Sequence, residues 1–403
     1  MNIFLLGNGF DLNHKFPTSY IDFLHTVKFL ADHYTDSMAT VADIFGDERI
    51  KTKSKNISES FSEYKSFYDK IILDENTMNF LVQKAKENIW FKYFSTAVEK
   101  ELTWIDFEKE IKRVIIAFRD FFASCNIVFD LSDDIKNPQS KYIISCFDFF
   151  YDVKRFGEAV VTDENLMQVL DQYTIEVPIG SGHLESNKSK IISELYSSLC
   201  DLADMLKIYL RLFIDSLSDK IKKEGFSIRN RSYPEIHTVF TLNYTNTIEK
   251  FYASEKTSVY HIHGNVGDNI VLGVNPDMYD EFDNMDTSFI RFKKYFQRVF
   301  YKTDIGYIDA RYKMIEFRQN APQLVRNTTV YVIGHSLDET DKDIIQEIFD
   351  LATNIKIFYH KEEAVGDYIE NLVSIYGKTG FDSLRATKNI EFLPHTEVER
   401  YTL

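Results

Sequence analysis

Cysteine, proline and glycine are scarce in this 403-residue chain, which holds 3, 7 and 15 of them. The cysteines (Cys125, Cys146 and Cys200) form no CxxC and no spacing suited to zinc or a disulfide framework, so they read as buried thiols in a reducing compartment. So few turn residues argue against a many-stranded sandwich and for long helices. No stretch approaches the roughly 18–20 apolar residues of a membrane span. At the amino terminus the only apolar run is Ile3–Leu6, with no basic region before it and a Gly-Asn-Gly turn behind it, unlike a secretory signal. A soluble, cytoplasmic protein with no membrane partner is expected. Positive charge is short as well: 47 Lys and Arg face 62 Asp and Glu, a formal net charge of −15. That balance argues against nucleic acid as a partner, because phosphate contacts need clustered cations.

Aromatic residues are plentiful, with 34 Phe and 24 Tyr, and the 44% hydrophobic content suffices for a sizeable core. Bulky helix packing and AT-biased coding both account for the aromatic excess. The length allows two or three domains, or one core carrying a large insertion.

Four apolar runs read as short buried strands, and each ends in a polar cluster. Asn2–Leu6 leads into Gly7-Asn8-Gly9-Phe10-Asp11, and Val239–Leu242 into Asn243-Tyr244-Thr245-Asn246. Val259–Ile262 leads into His263-Gly264-Asn265, and Thr329–Ile333 into Gly334-His335-Ser336-Leu337-Asp338. In an open parallel α/β sheet the carboxyl ends of the strands share one rim, where ligands bind. The four clusters are therefore expected to meet at one pocket. Further strands are expected at Ile270–Val274, Ile355–His360 and Ile390–Leu393.

Between the first two runs the sequence has almost no strand periodicity. Ser19 with Asp22, and Thr103 with Asp106, have capping-box spacing. From Lys190 to Lys223, Leu195, Leu199, Leu202, Leu206, Leu210, Phe213, Leu217 and Ile221 recur at helical spacing. The polar stretches Lys51–Ser62 and Asp130–Ser140 read as loops. Residues 1–19 with 236–403 are thus expected to form the α/β core, and 20–235 a large all-helical insertion after the first strand.

Each cluster permits more than one chemistry. Gly7-Asn8-Gly9 suits either a tight strand-to-helix turn or a phosphate cradle, although the usual third glycine of a dinucleotide fingerprint is Leu12 here. His261 and His263 alternate on a strand, which fits a metal pair with Asp338 and Asp341, core histidines, or a general base at His263. Asn243 can orient a sugar hydroxyl or a water, or simply close its strand on nearby backbone. Ser336 and Glu339 have capping-box spacing, and the acid of Asp338, Asp341 and Asp343 suits ribose or base contact better than phosphate. Arg291, Lys293, Lys294, Arg298 and Lys302 interleave with Phe292, Tyr295 and Phe296, as in a pyrophosphate or base-stacking site or a solvated helix face.

Together the clusters resemble the AbiH family of phage abortive-infection proteins. The resemblance is carried by Leu6-Gly7-Asn8-Gly9-Phe10-Asp11-Leu12, Pro17-Thr18-Ser19-Tyr20, Trp104 to Glu108, Thr241-Leu242-Asn243-Tyr244-Thr245, His261-Ile262-His263-Gly264-Asn265 and Val332-Ile333-Gly334-His335-Ser336-Leu337. AbiH proteins in turn look like distant relatives of the sirtuin-like, Rossmann-like NAD-binding fold. By that likeness Asn243 matches the ribose-side Asn, His263 the catalytic His, and Gly7 and Gly9 the first turn, with Gly334 and Ser336 the late nucleotide turn. The paired cysteines of the sirtuin zinc module are missing, so the resemblance implies NAD hydrolysis instead of deacylation.

On that implication His263, Asn243 and Asp11 are the catalytic candidates. Gly7, Asn8, Gly9, Phe10, Gly264, Asn265, Gly334, His335, Ser336 and Lys294 are the nucleotide-binding ones. NAD would be substrate, with no metal or other cofactor, and a homo-oligomer awaiting a phage-derived trigger is expected. The rival readings are a metal-dependent nuclease or phosphodiesterase and a non-catalytic nucleotide sensor.

Overall fold

The computed structural model describes residues 1–35, 37–99, 107–124, 183–226, 228, 233–274, 287–320 and 327–396. The expected capping box at Thr103 and the loop at Asp130–Ser140 lie outside them.

Six strands form one sheet in which every pairing is parallel: β1 (Asn2–Leu6), β2 (Thr238–Thr241), β3 (Ser258–His261), β4 (Thr329–Ile333), β5 (Asn354–Tyr359) and β6 (Asn389–Pro394). Their order is β3-β2-β1-β4-β5-β6. A parallel sheet is covered on both faces, so its central strands are apolar throughout. Accordingly Ile3 and Leu5 pack with Ile344, Ile348 and Leu372 on one face, while Phe4 and Leu6 pack with Phe10, Val239 and Ile248 on the other. Leu6 sits beside both Thr241 and Ile333 in register, so β1, β2 and β4 end at one level. The order reverses between β1 and β4, which opens the crevice that positions the site.

Apart from one isolated bridge between Thr40 and Ile72, the regular elements among the described residues between β1 and β2 are helices. They include helices Tyr20–His33, Lys55–Tyr68, Ile89–Glu99, Phe107–Ser124 and His183–Tyr209. Their apolar core is rich in stacked rings, such as Phe94 on Phe107 and Tyr20 on Phe107, each with centroids 4.1 Å apart. Val266, Ile270, Leu272, Val274, Phe289 and Phe292, from the stretch between β3 and β4, belong to this same core. No helix among the described residues is long and apolar enough to cross a membrane.

Ser19 caps Tyr20–His33 in a complete capping box with Asp22. The helical leucine series continues past Tyr209 through a π-type segment, Leu210–Asp215, into Ser216–Lys223.

Three expectations need correction. Lys51–Ser62 is not a loop: Ser54 accepts the Ile57 amide and opens a helix that buries Ile57, Ser60, Tyr64, Phe67 and Tyr68. Ile270–Val274 is no strand of the sheet. Its Leu272 amide and carbonyl are both bonded by the Gln297 carboxamide, at 2.9 Å each, so a side chain occupies the place of a neighbouring strand. Ser336 caps nothing. Asp338 accepts the Thr340 amide instead and starts the turn that precedes Lys342–Leu351.

Candidate functional site

A cavity of about 290 Å³ opens at the rim where β1, β2 and β4 end. Its lining includes Gly7, Asn8, Gly9 and Asp11 from β1, Asn243 and Thr245 from β2, His263 beyond β3, and Gly334, His335, Ser336, Asp338 and Asp341 beyond β4. Tyr20, Glu108, Leu206 and Leu210 of the helices close the opposite side.

The β1 and β4 elbows are built into each other. Gly7 donates its amide to Ile333 at 3.1 Å and Gly9 donates to Gly334 at 2.8 Å. A Cβ on Gly9 would lie 2.7 Å from Gly334 Cα, and one on Gly7 would lie 2.6 Å from His335 Cα. Glycine is needed here for elbow-to-elbow packing. The Phe10 amide is also engaged, by Gly7 at 2.9 Å, and the following helix spans only Gly9–Asn13. The expected phosphate cradle is therefore missing these two amides. Asn8 accepts the Thr18 hydroxyl at 2.6 Å.

Asn243 follows β2 and is buried. Its Nδ2 donates to the Gly7 carbonyl at 3.0 Å, which ties the second elbow to the first. Asp11 is 1% exposed; its Oδ2 accepts from Thr245 at 2.6 Å while Oδ1 has no partner. Burial raises its pKa to about 6, against the opposing pull of the Thr245 and Thr247 hydroxyls and the His261 charge.

His261 and His263 do not act as a pair. β3 ends at His261, whose Nδ1 faces the Asn243 carbonyl at 2.9 Å and whose Nε2 faces Glu249 at 2.5 Å. With an acceptor at both nitrogens the ring favours its charged form: burial opposes this, but Glu249 outweighs it and the pKa is raised. His263 lies past the strand and lines the cavity. Its Nε2 is 3.3 Å from Asp341 Oδ1 without hydrogen-bond alignment. Burial and then the Lys294 charge hold its pKa well below the ordinary value, so it is a neutral imidazole at pH 7.

Lys294 is buried and bridges Glu108 and Asp341 at 2.7 Å each. These carboxylates outweigh its burial and keep it charged. Asp341 is in turn held well below the carboxylate range, because the Lys294 charge and the His335 hydrogen bond help to overcome its desolvation. His335 accepts the Leu337 amide at Nδ1, which leaves the proton on Nε2, 3.4 Å from Asp341 Oδ2. Leu337 adopts φ +57 to allow this.

Among the expected site residues, Phe10, Gly264, Asn265 and Lys294 stand outside the cavity lining. Phe10 packs in the sheet's second core, and Lys294 lies behind Glu108 and Asp341. Gly264 (φ +76) and Asn265, whose Oδ1 accepts the Gly267 amide, shape the turn beyond His263. The basic stretch is solvated only in part: Arg291 and Lys302 are exposed, whereas Lys293, Lys294 and Arg298 are buried and Arg298 pairs with Asp343. The metal grouping does not assemble either. His261 turns to Glu249, Asp338 to Lys109 at 2.7 Å, and no set of three or more His, Cys, Asp or Glu suited to a metal occurs among the described residues. Sequence reasoning gave no role to Thr245, or to Glu108 as the partner of Lys294, although both fall inside the quoted motifs.

The family model described as "Bacteriophage abortive infection AbiH" matches residues 3–360. No curated protein and no solved structure matches the chain. The matched span contains every cavity-lining residue from Gly7 to Asp341, and on that match the chain belongs to the AbiH family of bacteriophage abortive-infection proteins.

Proposed function

We propose that this AbiH protein hydrolyses NAD at the bond between nicotinamide and ribose, in the course of abortive infection. The strand order is that of doubly wound dinucleotide-binding sheets, and the cavity lies at their switch point. The observation that carries the reading is Asp11, a buried carboxylate of the cavity wall with one unpartnered oxygen. As nicotinamide departs, positive charge moves from the ring onto the ribose, and a fixed carboxylate stabilises it. Asn243, anchored to Gly7, orients the ribose and the attacking water. His263, as a neutral imidazole, accepts a hydrogen bond from a ribose hydroxyl.

The test is chromatography of NAD after incubation with wild type, Asn243→Ala and His263→Ala. Free nicotinamide is expected from wild type and about a hundredfold less from either variant, with EDTA making no difference. A thermal shift with NAD but no nicotinamide at any protein concentration would instead identify a non-catalytic sensor. An unrestrained NADase would exhaust its own cell, so the activity is expected to require self-assembly, and release from wild type is followed across rising protein concentration. Full-rate turnover by dilute purified protein would refute that restraint.

A further inference from the structure

Among the described residues four carboxylates line the cavity, Asp11, Glu108, Asp338 and Asp341, and no lysine or arginine does. The nearest cations are already committed. Lys294 lies between Glu108 and Asp341, and Lys109 holds Asp338 at 2.7 Å. The amides of Gly9 and Phe10 donate to Gly334 and Gly7. Among the described residues no lysine or arginine of this wall meets a phosphate, whereas Asp11 Oδ1 has no partner. Leu12, Tyr20, Leu206 and Leu210 add apolar surface for a flat ring. At about 290 Å³ the cavity is at the small end of ligand sites, which run from ~300 to 1,000 Å³.

We propose that the cavity is a site for a phosphate-free ribosyl pyridinium cation, and that any phosphates of a larger ligand stay outside it. Binding needs only the charge and shape of the wall; cleavage rests on the NAD reading above. In that step the bond from C1′ to the ring nitrogen breaks, and its electron pair leaves with neutral nicotinamide. A water oxygen bonds to C1′ and its proton passes to solvent. A neutral purine nucleoside would need its leaving base protonated. The neutral His263 supplies no proton and that of His335 is directed at Asp341, so a leaving group that is already cationic suits this wall better than adenine.

The test measures binding by thermal shift and nicotinamide release by chromatography, using nicotinamide riboside, NAD and adenosine with the full-length protein. Nicotinamide riboside is expected to bind within about tenfold of NAD, to release nicotinamide wherever NAD does, and to bind at least about tenfold more weakly to Asp11→Asn. If NAD binds and nicotinamide riboside does not, even at hundredfold higher concentration, the inference is overturned while NAD hydrolysis can stand. If nicotinamide riboside binds but neither compound releases nicotinamide, the hydrolysis reading fails and the cation site stands. Adenosine binding as tightly as nicotinamide riboside also overturns the inference. Should Asp11→Asn fail to fold, the ligand comparison on wild type decides alone.

Discussion

Gly334 packs so tightly on Gly9 that a Cβ at position 334 would fall 2.4 Å from the Gly9 carbonyl carbon and 2.1 Å from the Phe10 nitrogen. Its φ of +68 adds a backbone strain for any other residue. Gly334→Ala is expected to lose about 1–2 kcal/mol from the backbone and another ~1–3 kcal/mol from overpacking. Gly225 shares a similar φ, +64, but nothing lies within 4 Å of its Cβ position. Gly225→Ala should lose only the backbone part. Chemical denaturation of the two variants checks the contrast, and equal losses would refute the elbow-packing account.

Lys294 is the cation that makes two buried carboxylates tolerable. Lys294→Met removes the cation that Glu108 and Asp341 share and should destabilise the fold by about 3–5 kcal/mol. Glu108→Gln keeps the Lys294–Asp341 pair and is expected to lose clearly less. Melting temperatures of the two variants provide the comparison.

Asp11 makes stability depend on pH in a stated direction. Its folded pKa of about 6 exceeds the unfolded 3.8, so the contribution is present below about pH 4 and is lost as pH rises through 6. The loss is of order 3 kcal/mol, at about 1.4 kcal/mol per pKa unit. Asp11→Asn should therefore match wild type near pH 4 and be more stable than it near pH 8, while nicotinamide release falls. A variant that is less stable than wild type at high pH would contradict this.

On the proposed NAD cleavage, the same carboxylate should set the acid limb, with its midpoint near pH 6. Thr245 bonds Asp11, the nearby Thr247 hydroxyl and the His261 charge lower its pKa, and Glu249 raises it. His261→Gln removes the helping charge, so the midpoint should move upward. A pH–rate profile reads this directly, and a merely structural role for His261 would lower the rate without moving the midpoint.

The sheet was largely legible because parallel strands buried on both faces are continuous apolar runs. Their polar ends mark a common rim, and four of the clusters do gather there. What the sequence hid were side chains standing in for backbone. Gln297 satisfies Leu272 where a strand would, and Asp338 displaces Ser336 as the cap. Lys51–Ser62 misled because the apolar stripe of its helix continues to Tyr64, Phe67 and Tyr68, beyond the polar window. The Glu108–Lys294–Asp341 bridge was invisible for another reason. Its members are far apart in the chain, and ion pairing between distant residues leaves no local pattern.

An α-helix advances 3.6 residues per turn, so the added residue of a wide turn swings everything downstream by about 100°. The segment Leu210–Asp215 is such a turn; Leu206 and Leu210 line the crevice at its start, and Leu217 and Ile221 pack in the core beyond it. The number of residues in the turn, not side-chain chemistry, thus keeps the two stretches in phase along one rod. Deleting a single residue there would preserve the helical content and turn one set of leucines out of alignment with the other.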